Sequence, residues 1–115
     1  MKKTISLKKN FEFKRVYEKG KSRADKYLVM YILENGTCSN RLGISVSKKV
    51  GNSVIRHHIT RLVREAYRLN ENSYRTGYDI VVIARIPAKD IGYHDVDNSL
   101  RRISGRHGII SDAAK

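Results

Sequence analysis

The run Tyr78-Asp79-Ile80-Val81-Val82-Ile83-Ala84-Arg85-Ile86 constrains the fold more than any other stretch of the chain. Its apolar residues follow one another without alternating, so the strand they form has to be covered on both faces and belongs at the centre of a sheet. Pro87 falls where this strand is ending. Upstream, Asn10 is placed to cap a helix in which Phe13, Val16 and Tyr17 recur at i, i+3 and i+4, with Gly20 as its left-handed stop. Tyr27 to Leu33 is a β-branched and aromatic run closed by Asn35-Gly36. It is followed by Leu42, Ile44 and Val46 alternating with Gly43, Ser45 and Ser47, and the two segments read as an antiparallel pair. Asp95 to Ile103 forms a last helix with Val96, Leu100 and Ile103 on one face, and the end from Ser104 to Lys115 reads as a frayed tail. At 115 residues the chain has room for one domain, residues 1–115, with one core.

Between the two strand regions, Gly51-Asn52-Ser53 breaks the chain and opens a helix from Ser53 to Leu69, capped by Asn52 or Ser53. At about 100° per residue, Ile55, Ile59, Leu62, Val63, Ala66 and Leu69 gather on one side. His57, Arg61, Arg64 and Arg68 line up across from them, flanked by Arg56 and His58. A solvated helix face normally mixes signs, but between Arg41 and Arg68 the only acid is Glu65. Like charges at i, i+4 spacing repel by a few tenths of a kcal/mol each, so a polyanion is the missing counterpart. Lys48 and Lys49 sit beside the free N–H groups of the helix start, a juncture suited to a phosphate. Arginine dominates the stripe, and its planar fork grips a phosphate with two hydrogen bonds or stacks on a base. The whole chain carries a net charge of +13, which again points to nucleic acid.

Other function classes fare worse. A membrane-surface helix would need bulky apolar residues with tryptophan or phenylalanine, and the chain has no tryptophan, no apolar run behind its basic start and no segment of spanning length. Cys38 stands alone, which excludes an internal disulfide framework and fits a reducing cytoplasm. Adjacent His57 and His58 point about 100° apart on a helix and cannot close on one metal ion or one scissile bond. His94 and His107 lie in segments with no partner motif, so no acid–base constellation is legible. Phe13, Tyr17, Tyr27 and Tyr31 serve as core filler, or else as the lining of a groove between helix and sheet. Phe13 and Tyr17 share a helix face and Tyr27 and Tyr31 a strand face, and unpaired bases stack on such rings.

From Lys48-Lys49-Val50-Gly51-Asn52-Ser53-Val54-Ile55-Arg56 through Arg61 and Arg64-Glu65, the sequence resembles the signature of the bacterial ribonuclease P protein subunit: Lys-Lys, Gly-Asn, then Arg-Asn-Arg with further basic residues down the helix. The similarity extends to Leu7-Lys8-Lys9-Asn10 with Phe13 and Tyr17, to Tyr31, to Leu42-Gly43-Ile44-Ser45-Val46-Ser47 and to Asp79-Ile80-Val81-Val82-Ile83-Ala84-Arg85. His57 stands where the family favours asparagine, His58 where it favours arginine, and Thr60 where lysine is common. The resemblance implies an α+β fold, an α/β sandwich of a mostly antiparallel four-stranded sheet and three helices in the order α-β-β-β-α-β-α. It also implies a left-handed β-α-β crossover, where nearly all such connections are right-handed. The implied activity is endonucleolytic removal of the 5′ leader from precursor tRNA by a ribonucleoprotein whose catalyst is its RNA subunit, with Mg²⁺ bound mainly by that RNA and none held by the protein alone. Lys48, Lys49, Asn52, Arg56, His57, His58, Arg61, Arg64 and Arg68 are then the contacts to the RNA subunit, and Phe13, Tyr17 and Tyr31 hold the leader. No further protein partner is implied. A ribosomal-type or other structural RNA-binding protein is the alternative.

Overall fold

In the computed structural model, which describes residues 4–110, the apolar run lies at the centre of a five-stranded sheet. The elements along the chain are β1 (Ile5–Ser6), α1 (Asn10–Lys19), β2 (Lys21–Ala24), β3 (Leu28–Glu34), β4 (Arg41–Ser45), α2 (Ser53–Leu69), β5 (Tyr78–Ala84) and α3 (Tyr93–His107). Across the sheet the order is β1-β4-β5-β3-β2. β5 pairs in parallel with β4 and antiparallel with β3, so both its edges are hydrogen-bonded, and Ile80, Val81 and Val82 have no exposed surface.

The α+β class holds, with three helices against one sheet. The sheet has five strands rather than four because Ile5–Ser6 adds a two-residue edge parallel to β4. Its four pairings divide evenly between parallel and antiparallel. The segments read as an antiparallel pair, now β3 and β4, do not touch through hydrogen bonds. β5 stands between them, because a strand apolar on both faces needs both of its edges paired as well.

The two faces of the sheet are covered unequally. Leu28, Met30, Ile32, Leu42, Ile80 and Val82 meet α2 and α3 through Ile59, Val63, Ala66, Val96, Leu100 and Ile103, and this is the main core. On the other face Val81 packs with Leu7 and Val16, surrounded by half-buried Phe13, Tyr31, Leu33 and Ile83. Ten residues of α1 extend about 15 Å. Five strands at about 4.8 Å spacing span about 19 Å, so a single helix cannot close that face.

Several local ends differ from the sequence expectation, beginning with β5, which stops at Ala84 before Ile86, and α3, which starts at Tyr93 rather than Asp95. Lys9, not Asn10, is the cap of α1, and its N–H and that of Lys8 donate to Glu12 Oε1 at 3.2 and 3.4 Å. Gly20 is extended, with φ −85° and ψ 172°, rather than left-handed. It is required for close approach: a Cβ would sit 2.5 Å from the Ile32 carbonyl oxygen and 2.6 Å from that of Val16. The tail expected to fray from Ser104 stays ordered through Ile110. α3 runs on to His107, Gly108 closes it at φ 73°, and Ser104 and Ile109 are buried. Residues 111–115 lie outside the described part.

Candidate nucleic-acid interface

Asn52 starts α2: its side-chain oxygen accepts from the Ile55 N–H at 3.0 Å, so the residue expected to contact RNA is here a helix cap. The helix then sorts its residues as its periodicity predicts. Ile59, Val63 and Ala66 are buried, while His57, His58, Arg61, Arg64 and Arg68 are exposed, as are Lys48 and Lys49 in the preceding turn. Leu69 departs from the expectation and is exposed, because the last turn buries Tyr67 instead. Its hydroxyl lies 2.9 Å from Thr4 Oγ1 and accepts from Asn40 Nδ2 at 3.2 Å.

The cations of α2 are not equivalent. Arg56 is half-buried, and its Nε donates to the Gly51 carbonyl at 3.2 Å. Arg68 is bound through Nε and Nη2 to Glu65 at 3.1 and 2.7 Å, so the one acid of the segment does neutralise one member of the stripe. Among the described residues no carboxylate pairs with Arg61 or Arg64, nor with Lys48 or Lys49. Among the described residues no side-chain hydrogen bond orients the His57 or His58 ring. No group of three or more histidine, cysteine or carboxylate side chains among the described residues is placed to hold a metal ion, and no helix is long and apolar enough to cross a membrane.

On the other face of the sheet α1 and the strands bring Phe13, Tyr17 and Tyr31 together. The Tyr17 and Tyr31 centroids are 5.1 Å apart, edge to face, and those of Phe13 and Tyr17 are 6.5 Å apart. Phe13 lies so close to β4 that a Cβ on Gly43 would sit 2.6 Å from ring atoms Cε2 and Cζ. Burial pushes the Tyr17 hydroxyl up, and a hydrogen bond with the Ser45 side chain partly offsets this. An open cleft of about 350 Å³ follows, lined by Asn10, Phe13, Lys14, Tyr17, Ile44 and Ser45. Tyr27 does not join the rings: it precedes β3 and packs against the core of the opposite face. From Ser45 at the end of β4 the chain passes directly to Lys48, Lys49 and the start of α2, so the basic turn follows Ser45 in the chain by three residues.

Gly43 and Ser45 went unread as site residues, and so did the charged cluster that anchors α1. Asp79 on β5 is fully buried. Arg41 grips it through Nε–Oδ1 at 2.7 Å and Nη2–Oδ2 at 2.6 Å, Arg15 adds Nη2–Oδ2 at 3.0 Å, and Asn35 Nδ2 donates to Oδ1 at 3.0 Å. Arg41 Nη1 also reaches Glu12 Oε2 at 2.6 Å. The signal for this cluster was a lone carboxylate inside an apolar strand, which cannot be buried without partners.

The model of the family described as Ribonuclease P matches residues 1–108. A ribonuclease P protein component from Lachnoclostridium phytofermentans is 52% identical over 108 residues, covering 94% of this chain and 93% of that protein. The structure of the Staphylococcus aureus RNase P protein superposes with a TM-score of 0.87 at 40% identity, covering 95% of this chain and 100% of that one. The RNase P protein from Thermotoga maritima gives 0.82 at 31% identity, with 88% and 96% covered.

Proposed function

Because this chain belongs to the ribonuclease P protein family, we propose that it binds the catalytic RNA of the holoenzyme with α2 and the 5′ leader of precursor tRNA with the ring-lined cleft, and so supports hydrolytic removal of the leader. The observation that carries this reading is the separation of two surfaces. Exposed Arg61 and Arg64, with no carboxylate partner among the described residues, stand on the helix that covers one face of the sheet, and Phe13, Tyr17 and Tyr31 stand on the other face.

Arg61 and Arg64, with Lys48, Lys49 and the outer nitrogens of Arg56, meet phosphates of the RNA subunit. His57 and His58 lie on the same exposed face and add ring nitrogens able to hydrogen-bond. The cleft takes single-stranded nucleotides, with bases against Tyr17 and Tyr31 and phosphates near Lys14. Magnesium ions held by the RNA subunit supply an activated water and stabilise the leaving oxygen. The chain itself contributes binding energy that the precursor realises and the mature tRNA does not, since only the precursor carries a leader. The reading needs no membrane and no further protein partner, and it operates in the cytoplasm.

Reconstitution with a bacterial ribonuclease P RNA at low magnesium tests it: the chain should restore 5′ processing. Tyr17→Ala with Tyr31→Ala should weaken precursor binding by about 1–3 kcal/mol per base unstacked, with affinity for the RNA subunit nearly intact. Equal precursor affinity in wild type and double variant would remove the leader role.

A further inference from the structure

A second cleft, of about 350 Å³, lies along the edge strand β2, where Lys19, Lys21, Arg23, Arg106 and His107 line it with Glu34 as its one acid. Among the described residues none of its four lysine and arginine side chains pairs with a carboxylate. Its walls are nevertheless fixed. Arg106 Nη1 donates to the Ala24 carbonyl at 2.8 Å, Arg23 Nη1 to the Ser22 carbonyl at 3.2 Å, and His107 Nε2 lies 2.9 Å from the Met30 carbonyl. Two arginines thus engage backbone carbonyls of an edge strand and keep their remaining N–H groups for solvent or a ligand.

The position of this cleft is set by the path of α1. The helix crosses the sheet from β4 toward β3: Phe13 lies on Gly43, Val16 packs with Val81, and Gly20 abuts Ile32. Tyr17 carries the same direction along its flank, with its hydroxyl hydrogen-bonded to the Ser45 side chain on β4 and its ring against Tyr31 on β3. The next strand is β2, where Ser22 stands opposite Tyr31. Opposed residues share a face, so Ser22 extends the floor of the groove, while Lys21 and Arg23, opposite Ile32 and Met30, turn to the α3 side of the sheet, around the β2 edge. A single strand leaving the ring pair toward β2 therefore meets four unneutralised cations as soon as it passes the edge.

Resting on the leader reading above, we propose that this second cleft holds the sugar–phosphate backbone of the leader beyond the nucleotides stacked on the rings. Because four cations dominate the lining and its one ring, Tyr78, is half-buried, it adds affinity with leader length chiefly through phosphates and reads no sequence. A basic edge strand also resists pairing with other chains, and that role alone would give no dependence on leader length.

The test uses the reconstituted holoenzyme and two precursor tRNAs, with leaders of about 4 and about 12 nucleotides. Wild type should bind the longer-leader precursor more tightly. The variant Lys21→Gln/Arg23→Gln/Arg106→Gln should bind both precursors equally, with short-leader affinity unchanged. Its log–log salt slope for the longer leader should fall by about 2, as expected for three contacts to a single strand. A variant that retains the length increment, a variant that weakens both precursors alike, or a wild type with no increment would each overturn the proposal. Tyr17→Ala with Tyr31→Ala is the separate control. Unchanged short-leader affinity there removes the groove reading itself, whereas loss there with an intact length increment in the glutamine variant removes only the edge cleft.

Discussion

Asp79 shows how much one residue fixes. Burial pushes its carboxyl up, but hydrogen bonds from Arg41, Asn35 and Arg15 outweigh this and hold it below its ordinary value of 3.8. A folded-state value below the unfolded one adds stability that is present above pH 3.8 and is lost as the pH falls through the lower folded value. Asp25, held down against burial by Ser99, the backbone N–H groups of Leu28 and Tyr27, and Arg102, adds to the same acid limb. Arg41→Ala leaves the buried Asp79 charge short of its main partner and should destabilise the chain by about 3–5 kcal/mol in urea unfolding at neutral pH. The loss should shrink as the pH falls, because protonated Asp79 no longer needs the guanidinium; a loss independent of pH would mean that Arg41 matters only through packing. Gly43 acts through space rather than charge. Gly43→Ala brings a methyl to within 2.6 Å of the Phe13 ring and should lift it from the sheet. Precursor affinity should then fall by up to about 1–3 kcal/mol with RNA-subunit affinity unchanged, as measured by equilibrium binding of each RNA. The sequence marks Asp79 as anomalous, but nothing near Gly43 in the chain announces a ring contributed by α1.

At the scale of elements, α2 was legible to the residue, from Ser53 to Leu69, because a 17-residue amphipathic pattern with a capping asparagine carries its own boundaries. β5 was legible as central because its composition demands two neighbours. Which strands those are was not, since β3 and β4 signal only their own extended character and the ladders between strands are contacts remote in sequence. Gly20 and the end of α3 misled for the same reason: the glycine answers to Ile32, and Ile109 answers to the core. The basic face of α2 was read correctly as a face but not in its internal pairing. Arg61→Ala and Arg64→Ala should each flatten the salt dependence of RNA-subunit binding by about one log–log unit. Arg68→Ala should flatten it less, because Glu65 already takes up that charge. Glu65→Gln, which frees Arg68, should steepen it. Equal slopes for Arg61→Ala and Arg68→Ala would mean that the Glu65 pair opens when RNA binds.

For the whole molecule, the net charge of +13 acts on folding and on binding with opposite signs. The Cα extents are 36 × 34 × 23 Å. At ~0.01 M salt the screening length of ~30 Å lets nearly every charge in the fold repel every other, whereas at ~0.15 M, with ~8 Å, only neighbours do. Added monovalent salt should therefore raise the midpoint of thermal unfolding of the free chain, by ~4 °C for each ~1 kcal/mol of repulsion removed. The same salt should weaken binding to RNA, because the charges that repel within the fold are those that displace counterions from phosphates. The Asp79–Arg41 pair should respond to salt less than the exposed cations do, since the Asp79 carboxylate is fully buried and Arg41 only partly exposed. Calorimetry of the free chain between those two ionic strengths decides the matter. A midpoint that falls with salt would show that attractive pairs, not the surplus of lysine and arginine, govern the stability of the free protein, and the case for a surface held ready for a polyanion would lose its energetic basis.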